Sequence, residues 1–181
     1  MAQLPPDIQL ALAAVAVTAA IFDILYSRIP NWLVLPSWLL GLGLNAGAGG
    51  WNGLAHSAQG LALALAIYLL LAALRAMRFG DVKLMAAVGA LVGPVNWWTI
   101  FLVASVFGGL IALVMVVFAG RARRTLFNTG YIVWELMHFR APYHRSPELD
   151  VTSDRSFRMP HGLAVGLGCL AFLGTQALLA G

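Results

Sequence analysis

The sequence predicts an all-α membrane protein, a polytopic helical bundle of about six transmembrane helices. Three observations predict it. Of 181 residues, 61% are hydrophobic and only 10% charged, where a soluble domain carries roughly a quarter charged residues. Mean hydropathy is +0.85, and several apolar runs approach the ~20 residues needed to cross a bilayer. If six such runs cross, every Lys and Arg falls on one side. This composition excludes a disordered chain and a disulfide scaffold. The one cysteine, Cys169, sits in an apolar run, where it has no disulfide partner and cannot alone build a zinc site, so packing is its expected role. The net charge of +4 is expected to report orientation in the membrane and no nucleic-acid partner.

The six runs cover residues 8–25, 32–46, 54–74, 84–95, 97–119 and 163–180. No Lys or Arg precedes the first, so it is expected to be a retained helix and not a secretory signal. The fourth is short, and Gly93-Pro94 separates it from the fifth, which leaves a re-entrant segment open. Charge decides between these readings. With six crossings, Arg28, then Arg75, Arg78 and Lys83, then Arg121, Arg123, Arg124, Arg140, Arg145, Arg155 and Arg158 share one face, and these are all 11 basic residues. That face is cytoplasmic by the positive-inside rule, with both termini outside. Dropping the fourth run would strand the last seven arginines on the wrong side.

Trp51, Trp97 and Trp98 would then lie at the outer interface, where indole rings prefer the headgroup level, or simply contact lipid. A single membrane-embedded domain is expected over 1–181, with a cytoplasmic loop at about 120–159. In that loop Tyr131, Ile132, Trp134, Leu136 and Phe139 are interleaved with Glu135, His138 and Arg140, suggesting a short helix on the inner membrane surface. Small-residue pairs at Gly43 and Gly47, Gly89 and Gly93, and Gly162 and Gly166 are expected to allow close helix contact.

The chain has seven acidic residues, so their placement is informative. Asp7 precedes the first run, and Glu135, Glu148, Asp150 and Asp154 lie in the polar loop, where solvation is the simple explanation. Asp23, in Ile21-Phe-Asp-Ile-Leu-Tyr-Ser-Arg-Ile-Pro-Asn31, and Asp81, in Arg78-Phe-Gly-Asp-Val-Lys-Leu84, fall at the same membrane face. A carboxylate there is expensive to keep and marks a functional candidate. The plainer alternatives are an N-cap for Asp81, and for Asp23 a pairing with Arg28 or snorkelling to the interface. Two carboxylates brought together in a low-dielectric site do not both ionise readily. The pair then shares a proton, and one member activates water while the other protonates the carbonyl or the leaving amine. Such chemistry belongs to aspartic proteases. A small proton- or cation-coupled transporter would use the same acids, but the chain lacks a repeated half and places both acids at one face instead of the midplane. No His-rich or Cys-rich set stands near the two aspartates, so neither a metal nor an organic cofactor is expected.

Three motifs together resemble a known family. Asp23 followed by Ile29-Pro30-Asn31, then Phe79-Gly80-Asp81-Val82-Lys83-Leu84, then Met159-Pro160-His161-Gly162-Leu163-Ala164-Val165-Gly166, resemble the prepilin peptidases. These are the type IV leader peptidases of the Gly-x-Gly-Asp class of intramembrane aspartic proteases. The resemblance implies that Asp23 and Asp81 are catalytic. It implies a prepilin or pseudopilin helix, embedded in membrane lipid, as the partner. Its leader would be removed after a glycine at the cytoplasmic face of a bacterial inner membrane, without a cofactor. Gly80 would permit close backbone approach or a sharp turn before the catalytic residue, or be an ordinary loop glycine. Lys83 would hold a carboxylate, substrate backbone or lipid phosphate, or serve only as a positive-inside anchor. Pro30 and Asn31 would form a stiff turn and a cap for the second helix.

The sequence departs from the family pattern at Arg78, where the motif has its first glycine, which keeps open a pilus-assembly scaffold that has lost catalysis. His161 stands where the family carries an aromatic residue. Only residues 26–31 join the first two runs, with no room for the cysteine-bearing domain of the bifunctional members. The chain therefore resembles the small Tad-type, peptidase-only members, without N-methyltransferase activity.

Overall fold

The computed structural model describes residues 3–74, 77–118 and 160–180, and these are helical with no strand among them. Four elements follow one another: α1 (Pro6–Tyr26), α2 (Asn31–Ala73), α3 (Phe79–Phe118) and α4 (His161–Ala180). All four are long and apolar enough to cross a membrane, which marks the chain as a membrane protein. Leu10, Leu39, Leu102 and Leu178 are each at least 60% exposed, as side chains facing lipid would be. The loop at 120–159 and its expected surface helix lie outside the described residues.

Where about six separate helices were expected, the described residues form four continuous elements. The runs at 32–46 and 54–74 are joined in α2, and those at 84–95 and 97–119 in α3. A straight helix of the 43 residues of α2 would run about 65 Å, roughly twice the ~30 Å hydrocarbon core. One residue prevents this. Gly50, at φ 57° and ψ −137°, leaves helical geometry in a region that only glycine enters freely. The chain then turns back, because a Cβ on Gly53 would strike the Asn45 carbonyl, a residue that a straight helix would hold about 12 Å away. In α3 the break is Gly93, at φ 72° and ψ 176°. Trp97 Nε1 donates to the Met85 carbonyl at 3.1 Å across it, over a separation that straight helix would make about 18 Å.

The first leg of α3 is the centre of the molecule. Every residue from Leu84 to Gly93 is buried, as expected for a helix apolar all round. The break frees carbonyls at its end, and Pro94 has no N–H to offer Ala90. Asn45 Nδ2 donates to the carbonyls of Ala90 and Leu91 at 3.2 and 3.1 Å, and the Ser57 hydroxyl donates to Ala90, so α2 supplies what α3 lacks. Trp97 is fully buried against Tyr68 and Phe101. The expected interfacial position is therefore corrected for Trp97, because the fold-back returns it to the core, while Trp51 and Trp98 are 80% and 44% exposed.

Small residues set the α2–α3 distance. A Cβ on Gly60 would meet the Gly89 carbonyl and the Gly93 Cα, and one on Gly41 would lie 2.7 Å from the Ala90 backbone. A Cβ on Gly43 or Gly47 would find nothing within 4 Å, so that pair makes no close helix contact among the described residues. Gly60→Leu is accordingly expected to destabilise the bundle by about 1–3 kcal/mol or prevent its folding. Gly43→Leu should leave the thermal midpoint in detergent unchanged.

Candidate active site

Asp23 and Asp81 come together at the end of the bundle where α1 finishes and α3 begins. Asp23 lies one turn before the end of α1, and its carbonyl accepts the N–H of Ser27, whose left-handed conformation stops the helix. Asp81 lies in the first turn of α3. Its backbone N–H donates to the Arg78 carbonyl at 3.1 Å, and its carboxyl is hydrogen-bonded in return to the Arg78 backbone. The cap position is therefore Arg78, and Asp81 closes the reciprocal contact from the third helical residue. Each aspartate is 8% exposed, and the two carboxylates lie within electrostatic reach of each other.

The side chain of Asp23 meets a third element. Its Oδ2 accepts the backbone N–H of Gly162 at 2.7 Å and of Leu163 at 3.3 Å, the first free donors of α4. A helix N-terminus carries partial positive charge and unsatisfied N–H groups, which suit a carboxylate oxygen. The approach requires glycine, since a Cβ on Gly162 would lie 2.9 Å from the Asp23 Cβ and 3.0 Å from Oδ2. One turn further, a Cβ on Gly166 would lie 3.0 Å from the Ala20 Cβ. The pair Gly162 and Gly166 thus forms the seam through which α1 docks on α4. Neither the pairing with Arg28 nor snorkelling is needed to account for Asp23.

Arg78 is half-buried, and its guanidinium lies within electrostatic reach of both carboxylates. Residue 78, glycine in the family motif, here sets a cation beside the acidic pair. Gly80 is not crowded, because a Cβ there would find only Ile29, at 3.8 Å. Packing among the described residues gives no reason for glycine at that position. Pro30 is the N-cap residue of α2 at φ −73° and ψ 140°, and its carbonyl accepts from Leu33 and Val34. Asn31 is the first residue of α2, and Pro30 at the cap makes no side-chain hydrogen bond to it. The Asn31 Oδ1 accepts from Lys83 Nζ at 3.1 Å, tying the starts of α2 and α3 together, and the Lys83 carbonyl accepts from Trp38 Nε1 at 2.9 Å. An exposed bond of this kind is worth little, so Lys83→Met is expected to lower stability by under ~1 kcal/mol in thermal unfolding.

Two further groups border the pair. His161, the first residue of α4, packs its ring against Tyr68 of α2 at a centroid distance of 6.5 Å, and the Tyr68 hydroxyl lies within electrostatic reach of Asp81. Sequence reasoning passed over Tyr68, although a phenol in the middle of an apolar run is itself a signal, since its O–H must find a partner when buried. Among the described residues no three His, Cys, Asp or Glu side chains converge as a metal site would require. The arrangement is that of two buried carboxylates at one end of an apolar bundle, one of them held by a helix terminus, which is suited to proton exchange with a water and a peptide bond.

Comparison with known proteins bears on this arrangement. No curated protein and no solved structure matches the chain. Residues 10–113, more than half of the chain and a span that includes both Asp23 and Asp81, match the type IV leader peptidase family.

Proposed function

Because the chain belongs to the type IV leader peptidase family, we propose that it is an aspartic endopeptidase that removes the leader from type IV or Flp-like prepilins or pseudopilins. The observation that carries this reading is the meeting of Asp23 and Asp81, each 8% exposed, in an otherwise apolar bundle. With one proton between them, the ionised carboxylate takes a proton from water as the water oxygen attacks the scissile carbonyl carbon. The protonated carboxyl gives its proton to the carbonyl oxygen. A neutral tetrahedral diol results, and it collapses as the leaving nitrogen is protonated and the C–N bond breaks. The products are a leader ending in a carboxylate and a pilin beginning with an amine, with no covalent enzyme intermediate.

In this reading the turns at Gly50 and Gly93 make α2 and α3 cross the membrane twice each, giving six crossings with both termini outside. The basic residues then mark the cytoplasmic side of a bacterial inner membrane, and the two aspartates open there, where a basic leader waits. The substrate's hydrophobic helix lies in the lipid beside the bundle, and cleavage follows a glycine. Ser27 to Pro30 alone connect α1 to α2, so no inserted domain for N-methylation stands between them and no such activity is assigned. Co-expression with a prepilin of the same genome tests the reading: the wild-type chain should shorten the pilin by the length of its leader on a gel. A prepilin left at full size by a correctly inserted chain would favour an assembly scaffold with Arg78 silencing the acids.

A further inference from the structure

Buried polar groups normally find hydrogen-bond partners, and each exception asks for an explanation. One exception borders the aspartate pair: the Nε2 of His161 is buried with no partner among the described residues. Tyr68, itself 2% exposed, stands beside it. The groups come from different helices, α2 and α4, and reach the same place, since their rings lie 6.5 Å apart. His161 immediately precedes Gly162, whose N–H holds Asp23 at 2.7 Å, while the Tyr68 hydroxyl lies within electrostatic reach of Asp81.

The phenol is aimed by its surroundings. Trp97 and Phe101 meet the Tyr68 ring edge-on, at 6.3 and 6.0 Å with interplanar angles of 78° and 82°, and His161 lies against it as well. Trp97 is itself fixed by its bond to the Met85 carbonyl at 3.1 Å. A ring packed against three others does not swing freely to find another acceptor. Its O–H is therefore a donor kept in place in an apolar setting, where a hydrogen bond to developing charge is worth far more than in water. A peptide unit beside the aspartates brings a carbonyl acceptor for the hydroxyl and a partner for the imidazole nitrogen, which has none among the described residues.

We propose that the Tyr68 hydroxyl donates a hydrogen bond to the oxygen of the scissile carbonyl as that oxygen takes on charge, with His161 as the wall that holds the phenol in line. The inference rests on the peptidase reading. Tyr68 keeps its proton throughout: the bonds made and broken are those of the water, the carbonyl and the leaving amine, and the phenol lowers the barrier by a contact that strengthens in the transition state.

Tyr68→Phe removes only the hydroxyl and leaves the three ring contacts in place. In reconstituted membranes with a prepilin substrate it should lower kcat by about 10²-fold, the usual effect of losing one such donor, with KM and the thermal midpoint unchanged. An unchanged kcat would overturn the proposal, and so would a fall in activity matched by a lowered thermal midpoint and a raised KM, which marks a packing role. Wild type and Asp81→Asn run alongside separate the two readings. If wild type cleaves, Asp81→Asn does not, and Tyr68→Phe equals wild type, the peptidase stands and the role of Tyr68 falls; a wild type without cleavage overturns both.

Discussion

Asp81→Asn is expected to lower the rate of leader removal by about 10²–10⁴-fold, the range that positioned acid–base groups supply, and Asp23→Asn should do the same. The amide keeps the size of the carboxyl, so the first turn of α3, packed through the fully buried Leu84 and Met85, has no reason to move. What is lost is the shared proton. Because neither acid works without the other, the double variant should be scarcely slower than either single one. Such non-additivity is the mark of groups acting as a unit, and first-order rates of pilin shortening in membranes of equal enzyme content would show it. Two independent effects that multiplied would argue that the carboxylates act separately.

Gly162→Val should have nearly as large an effect while leaving both acids intact. Already the first carbon of the new side chain would lie 2.9 Å from the Asp23 Cβ and 3.0 Å from its Oδ2. The start of α4 must then retreat and release the 2.7 Å bond that fixes the carboxylate. A displacement of about 1 Å in a reacting group is enough to lose roughly 10²-fold in rate, and the strain should lower stability by about 1–3 kcal/mol. Among the described residues, Gly174 on the same helix has nothing within 4 Å of a Cβ position, so Gly174→Val serves as the control. It should preserve both the cleavage rate and the thermal midpoint.

Much of this arrangement is legible in the sequence, and the parts that are not have physical reasons. Apolar runs with Asp23 and Asp81 as isolated acids announce helices and a candidate site together, because hydrocarbon tolerates a carboxylate poorly. The α4 partner of Asp23 does not announce itself: the Gly162 N–H is 139 residues away in sequence, and every helix start has such donors. The folding-back of α2 shows only as a cluster, Gly47, Gly49 and Gly50, in which the backbone alone decides that Gly50 takes the positive φ. Trp97 misleads for the same reason. Beside Trp98 and after Gly93-Pro94 it reads as an interfacial ring, but the turn at Gly93 brings it down to the Met85 carbonyl. At Gly80 a Cβ would meet only Ile29 among the described residues, in ordinary contact, so no close approach between them accounts for glycine there.

The central claim is that Asp23 and Asp81 cut a peptide bond. Its most direct measurement is mass spectrometry of a purified prepilin incubated with the wild-type chain and with Asp23→Asn and Asp81→Asn, each reconstituted in lipid with insertion verified. One new amino terminus at the leader junction is expected with the wild type and none with either variant. The same terminus appearing with either variant would contradict the claim.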